Sequence, residues 1–60
     1  MNFQIGHKIY TWDYDDNRWT LSKVLEFDGE SIKLEDIDPQ SNWQGMIWED
    51  EIDELKWKKL

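Results

Sequence analysis

The chain has no cysteine, one proline and three glycines in 60 residues. Without cysteine, neither a disulfide nor a thiolate zinc site can add stability, and a reducing cytoplasm is the expected compartment. A chain of this length buries only about 60% of its unfolded surface. We therefore expect one small domain spanning residues 1–60, with no large enclosed active site.

Long apolar runs are also missing. No segment approaches the roughly 18 residues that a membrane span needs, and the opening Met1-Asn2-Phe3-Gln4 lacks the basic and apolar regions of a signal peptide. We expect a cytoplasmic protein without membrane contact.

The residues that carry catalysis or hold metals are scarce. His7 is the single histidine, and no cysteine accompanies it, so a transition-metal site is not expected. The acidic run at residues 13–17 lacks the glycine and the distal glutamate of a calcium loop. No serine stands in a nucleophile motif with His7. The sequence predicts a protein that is not an enzyme and has no cofactor.

Aromatic residues, by contrast, are abundant: five Trp, two Tyr and two Phe. Each large ring buries roughly 150–250 Å², so the core is predicted to be aromatic. A domain this small cannot enclose all nine rings, and surplus rings that lie near one another usually mark an interaction surface.

Acidic residues dominate the charge. The formal charge is −7, and all 14 carboxylates lie at residues 13–54, where only three basic residues oppose them for a local net charge of −11. This field repels phosphate backbones and attracts basic surfaces. We expect a protein partner with a basic surface and no direct nucleic-acid binding. The carboxylates that are individually expected to be solvated are Asp13, Asp15, Asp16, Asp36, Asp38, Glu49, Asp50, Glu51, Asp53 and Glu54.

Short β-branched and aromatic runs separated by turn formers predict strands. The expected strands are residues 8–12, 19–27, 30–35 and 46–48, followed by a helical turn within 49–55 and a last strand or tail at 56–58. Asp28-Gly29 is typical of a type I′ hairpin, in which both central residues need positive φ. The expected core comprises Ile9, Val24, Ile32, Leu34, Ile52 and Leu55.

Five short strands should close on themselves, because a small open sheet leaves its edges unpaired. The segments IGHKIYTW, DYDDNRW, TLSKVLEF, DG and EIDEL, spread over residues 5–55, resemble the Tudor type of SH3-like barrel. This resemblance implies an all-β, five-stranded SH3-like small barrel with a short helical turn before the last strand.

The resemblance also implies recognition of methylated lysine or arginine by a cage of rings through cation–π attraction. Aligned without gaps from Gly6-His7-Lys8, however, the positions of the cage fall on Asp13, Thr20 and near Glu35 instead of on rings. Tyr14 and Trp43 could build a shifted cage, because the first and third loops of such barrels are neighbours.

The predicted binding surface combines rings with carboxylates. Strict alternation puts Tyr10 and Trp12 on the face opposite Ile9 and Thr11. With Tyr14 and Trp43 they are expected to form one patch. The patch is ringed by Asp13, Asp15 and Asp16, so the predicted binding residues are Tyr10, Trp12, Asp13, Tyr14, Asp15, Asp16 and Trp43.

Two main hypotheses for the function follow. In the first, the domain is a monomeric interaction module whose patch receives a basic or cationic segment of a protein. In the second, its acidic surface mimics nucleic acid and blocks a DNA- or RNA-binding protein, as small inhibitors of phages or mobile elements do. A third possibility is self-association through the rings. Both main hypotheses use charge to speed encounter, but the first takes its affinity from Trp12 and the second from the carboxylates.

Overall fold

The computed structural model describes residues 3–41 and 45–60, which form five antiparallel strands and one 3-10 turn. The strands are β1 (Lys8–Asp13), β2 (Arg18–Phe27), β3 (Ile32–Asp36), β4 (Met46–Glu49) and β5 (Trp57–Lys59), with the 3-10 turn at Ile52–Glu54. The predicted all-β class and the short helical turn before the last strand are confirmed. No helix in the described part of the chain is long and apolar enough to cross a membrane.

The five strands form a single sheet in the order β4-β3-β2-β1-β5, and the sheet is not closed. Consecutive strands pair as neighbours from β1 to β4, while β5 returns to the free side of β1. β4 and β5 are therefore the two edges. The expected closure into a barrel is not present between these two strands.

The turn between β1 and β2 is closed by an aspartate side chain. The last cross-strand pair is Asp13 with Arg18, and Asp13 Oδ1 accepts hydrogen bonds from the backbone N–H groups of Asp15 at 2.9 Å and Asp16 at 3.2 Å. Asn17 then takes a left-handed φ of 52°, which asparagine tolerates better than most residues. Local hydrogen bonds thus hold the acidic run in one conformation.

The predicted type I′ turn at Asp28-Gly29 is wrong. Gly29 has a φ of +99°, but Asp28 does not take the positive φ that this turn requires. The Asp28 carboxylate instead accepts hydrogen bonds from the backbone N–H of Glu30 at 3.0 Å and from the backbone N–H and hydroxyl of Ser31 at 2.8 and 3.0 Å. These bonds lower the pKa of Asp28, with the Ser31 backbone N–H as the largest cause.

One face of the sheet, here called the inner face, carries the core. Five of the six predicted core residues are buried, and the sixth, Leu55, is partly buried and packs against them. The expectation of an aromatic core is wrong for the described residues, because their buried apolar side chains are all aliphatic and the partly buried Phe3, Phe27 and Trp57 pack against them. The rings of β1 and of the start of β2 alternate with buried residues in sequence, so the pleat directs them to the opposite, outer face. The buried apolar residues are Ile9, Val24, Ile32, Leu34 and Ile52.

Beside the aliphatic core lie three buried hydroxyl groups on β1 and β2. Thr11 Oγ1 lies 2.8 Å from Ser22 Oγ and 3.3 Å from Thr20 Oγ1, and the Thr20 hydroxyl donates to the Thr11 carbonyl at 3.2 Å. All three side chains are at most 4% exposed. Because buried hydroxyls cost free energy when unpaired, this network ties the β1–β2 register to the core.

Replacing Thr11 with Val tests this network. The change keeps the shape but leaves the Ser22 hydroxyl without Thr11, so we expect the free energy of unfolding to fall by about 1–3 kcal/mol. The double variant Thr11→Val/Ser22→Ala should lose less than the sum of the two single variants, since both partners are then apolar. Urea unfolding followed by tryptophan fluorescence measures all four proteins. Strict additivity would contradict the coupling.

Candidate functional site

The outer face carries a cluster of three rings, here called the ring cluster: Tyr10, Trp12 and Trp19. Trp12 and Trp19 are direct cross-strand partners, and their ring centroids lie 5.3 Å apart in an edge-to-face arrangement. An edge-to-face arrangement stabilises an aromatic pair by more than the burial of its surface area alone would do. All three side chains are partly buried.

Two lysines of the chain itself cover the ring cluster. Lys56 Nζ lies 4.3 Å from the centroid of Trp12, and Lys58 Nζ lies 4.6 Å from that of Trp19 and 5.5 Å from that of Tyr10. These distances are within the range of cation–π attraction. Two of the four rings that were expected to await an external cation, Tyr10 and Trp12, therefore already contact internal ones.

A concavity, here called the cleft, opens from the inner face between β4 and the chain that leads into β5. It shares Trp12 with the ring cluster and Lys56 with the cover of that cluster. Its volume is about 480 Å³. Its base is formed by the buried Thr11, Thr20 and Leu34. The full lining is Thr11, Trp12, Asp13, Tyr14, Asp15, Thr20, Leu34, Ile47, Glu49, Glu54, Leu55 and Lys56.

The rim of the cleft is acidic. Asp13, Asp15, Glu49 and Glu54 contribute four carboxylates, and Lys56 is the single basic residue of the lining. Among residues 3–41 and 45–60 the ion pairs are Arg18–Asp38 and Lys33–Glu26, so no carboxylate of the rim belongs to one. Its negative charge is thus left largely uncompensated.

Crowding of carboxylates affects the pKa of Glu54. Repulsion from Glu51 raises the pKa of Glu54 above its usual value, and a hydrogen bond with Glu51, burial and the charge of Glu49 act in the same direction. A positive charge placed at the rim would relieve this repulsion. Glu54 thus lines the cleft among like charges, of which Glu51 lies outside the cleft lining and Glu49 within it.

Two carboxylates that were expected to be solvated are buried, and this expectation is wrong for Asp36 and Asp38. Asp38 accepts hydrogen bonds from the backbone N–H groups of Gln40 and Leu21 and from Arg18. The Gln40 bond is the largest cause of its lowered pKa, followed by the Leu21 bond. Asp36 accepts from the Asp38 N–H and from the Ser41 hydroxyl. Both carboxylates hold the loop after β3 in place.

The structure places the predicted binding residues that it describes in three locations. Trp12, Asp13, Tyr14 and Asp15 line the cleft. Tyr10 lies on the outer face under Lys58, and the exposed Asp16 lies in the β1–β2 turn outside the cleft lining. Trp43 lies outside the described residues.

Several residues of the cleft were not predicted as binding residues. Glu49 and Glu54 belong to an acidic run that gives no sign of where each side chain points. Ile47 and Leu55 resemble ordinary core residues, but Ile47 is 41% exposed. Thr11 and Thr20 could have been suspected, because polar residues at core-facing strand positions interrupt an apolar pattern.

Comparison of the chain with family models, with curated proteins and with solved structures gives no match. Within the described ranges, no group of three or more His, Cys, Asp or Glu side chains is arranged to hold a metal ion. The cleft and the ring cluster are thus interpreted from their own geometry.

The raised pKa of Glu54 leads to a prediction on pH dependence. A carboxyl whose pKa is higher in the folded state than in the unfolded state stabilises the fold at low pH and loses this contribution as the pH rises through the folded value. Glu54→Gln should therefore raise the thermal midpoint at neutral pH. This gain in thermal midpoint should vanish once the pH falls below 4.5, the ordinary pKa of a glutamate side chain. Thermal unfolding across this pH range measures it, with Glu30→Gln as a control outside the cleft. If Glu54→Gln and Glu30→Gln changed the thermal midpoint equally across this range, the assignment of a raised pKa to Glu54 would be contradicted.

The lysine cover leads to a second prediction. Lys56→Gln removes a charge that lies over Trp12, and we expect the free energy of unfolding to fall by about 0.5–1 kcal/mol. Lys59→Gln, which removes the same charge from an exposed β5 residue, should change it less and should leave tryptophan emission unaltered. Chemical unfolding and fluorescence spectra test both. A larger loss in the Lys59 variant would rule out the ring contact as the cause.

Proposed function

We propose that this domain is a protein-interaction module that acts as a monomer and receives a basic or cationic segment of a partner protein in the cleft. The observation that carries the proposal is the combination of apolar side chains in the cleft with four rim carboxylates that form no ion pair within residues 3–41 and 45–60. This proposal takes its affinity from the cleft and no longer from Trp12 alone as the sequence suggested, because Lys56 and Lys58 already cover the ring cluster.

The shape of the cleft supports a long cationic side chain as the group that is bound. Lysine and arginine have an apolar stem and a charged head. Leu34, Ile47 and Leu55 offer apolar contact for such a stem. The rim carboxylates offer acceptors for the head, which has only donors.

The charge of the whole chain supports the same partner. A formal charge of −7 concentrates basic partners near the surface and speeds encounter. Charge alone does not select a binding mode, since it steers association more than it determines affinity. The cleft adds a place where one cation is partly removed from water and its interactions with carboxylates strengthen.

We further propose that the sheet is of the SH3-like type. Support comes from the strand order β4-β3-β2-β1-β5 and from the single 3-10 turn that precedes β5. In this interpretation the cleft is the gap that an incompletely closed barrel leaves between its first and last edges. A binding site at an open side of a small barrel is accessible to an extended segment without any rearrangement of the core.

Binding of short peptides that differ at one position tests the proposal. The probe is a pentapeptide whose only charged side chain is a central arginine, and its control has citrulline at that position, which keeps the shape without the charge. Glu49→Gln/Glu54→Gln should weaken arginine-peptide binding at least about tenfold, or ~1.4 kcal/mol. Isothermal titration measures the affinity.

The matched control variant is Glu30→Gln/Asp53→Asn, which changes the net charge equally outside the cleft lining. It should weaken binding by less than about threefold, because steering from exposed charges is largely screened at physiological salt. If both double variants lose affinity equally, or if citrulline binds as well as arginine, the cleft is not the recognition site.

A further inference from the structure

The backbone of β4 has an open side. Its register pairs Leu34 with Ile47 and Ile32 with Glu49, and the Asp36 N–H donates to the Gly45 carbonyl at 2.9 Å. In an antiparallel ladder the residues that exchange hydrogen bonds alternate. Gly45, Ile47 and Glu49 therefore direct their backbone groups toward β3. The N–H and C=O groups of Met46 and Trp48 point away from the sheet.

This edge is also unusually apolar. Met46 is 60% exposed, Ile47 41% and Trp48 51%. Natural sheets usually protect such edges with lysine, proline or a bulge. None of these occurs within the four residues of β4, whose sequence is Met-Ile-Trp-Glu. The outward backbone groups of Met46 and Trp48 have no backbone partner among the described residues. A strand edge of this kind, flanked by exposed apolar side chains, is suited to the addition of another strand.

The edge and the cleft are continuous. Ile47 and Glu49 of β4 line the cleft on one side, and Glu54, Leu55 and Lys56 line it on the other. A strand that pairs with β4 would thus lie along the cleft, and every second side chain would enter it. The remaining side chains of the added strand would lie on the outer face beside Met46 and Trp48.

We propose that the partner binds as a sixth strand along β4. The inference rests on the proposed function and specifies its geometry: the partner segment is extended, with basic side chains facing the cleft and apolar side chains facing Met46 and Trp48. Charge complementarity selects this occupant, since Glu49 and Asp50 end the edge and the rim adds Asp13, Asp15 and Glu54. A second copy of the chain fits less well, because each copy carries −7.

The first test uses the protein backbone. Met46→Pro removes an N–H that points away from β3, whereas Met46→Ala shortens the same side chain and keeps the N–H. The probe is an eight-residue peptide of alternating arginine and valine. Met46→Pro should weaken its binding about tenfold or more, because the partner loses a hydrogen bond at a buried acceptor. Met46→Ala should stay within about threefold, since it keeps the backbone bond. Equal affinities of the two variants would overturn strand addition.

The second test does not depend on the folding of a variant. In an extended peptide the N–H groups of alternate residues point to opposite edges. One probe is N-methylated at every arginine and another at every valine. Strand addition predicts that one of them loses binding to the unaltered protein and the other keeps it. Equal affinities of the two methylated probes would overturn the proposal.

The outcomes separate this inference from the function on which it rests. If the unmodified peptide responds to Glu49→Gln/Glu54→Gln but not to Met46→Pro, the cleft recognises cations without strand addition. If no cationic peptide binds, both proposals fail. Sedimentation equilibrium tests whether a second copy of the chain occupies the edge instead. If the free protein is a dimer and Met46→Pro dissociates it, β4 pairs with a second copy. That result would overturn the assignment to a basic segment.

Discussion

The register between β1 and β2 is the constraint on which the rest of the molecule depends. It places Thr11 beside Thr20 on the inner face and Trp12 beside Trp19 on the outer face. Because side chains alternate between faces, a shift by one residue would exchange the two sets, burying indoles and exposing the hydroxyl network. Hydrogen bonds among hydroxyls on one face and an edge-to-face ring pair on the other oppose this shift together.

The carboxylates divide into two kinds, which explains how so small a chain tolerates so many. Asp28, Asp36 and Asp38 accept hydrogen bonds from backbone N–H groups in turns, and hydrogen bonding to the charged form offsets its desolvation. Asp13 does so as well, although it also lines the cleft. At the cleft, Glu49 and Glu54 form no ion pair with any residue that the structure describes, and repulsion from Glu51 is the largest cause of the raised pKa of Glu54. Negative charge is thus structural in the turns and uncompensated at the cleft.

Local patterns in the sequence were sufficient to predict the strands and most of the core residues. Alternation identified Ile32 and Leu34 as buried and placed Tyr10 and Trp12 opposite Ile9. The cleft could not be predicted in the same way, because its lining comes from four separate strands and the segment before β5. Which of these residues meet depends on strand order and register, and a single sequence contains neither explicitly.

The two edges of the sheet are built differently, and this asymmetry connects its stability with its proposed use. β5 presents lysines, which discourage pairing at an edge, and Lys58 also extends over Trp19 and Tyr10. β4 presents Met46, Ile47 and Trp48 without a basic residue. If this sheet simply tolerated exposed apolar residues at its edges, both edge strands would be expected to carry them. Protection of one edge and exposure of the other is the arrangement that a sheet needs to accept a strand at a single, defined position.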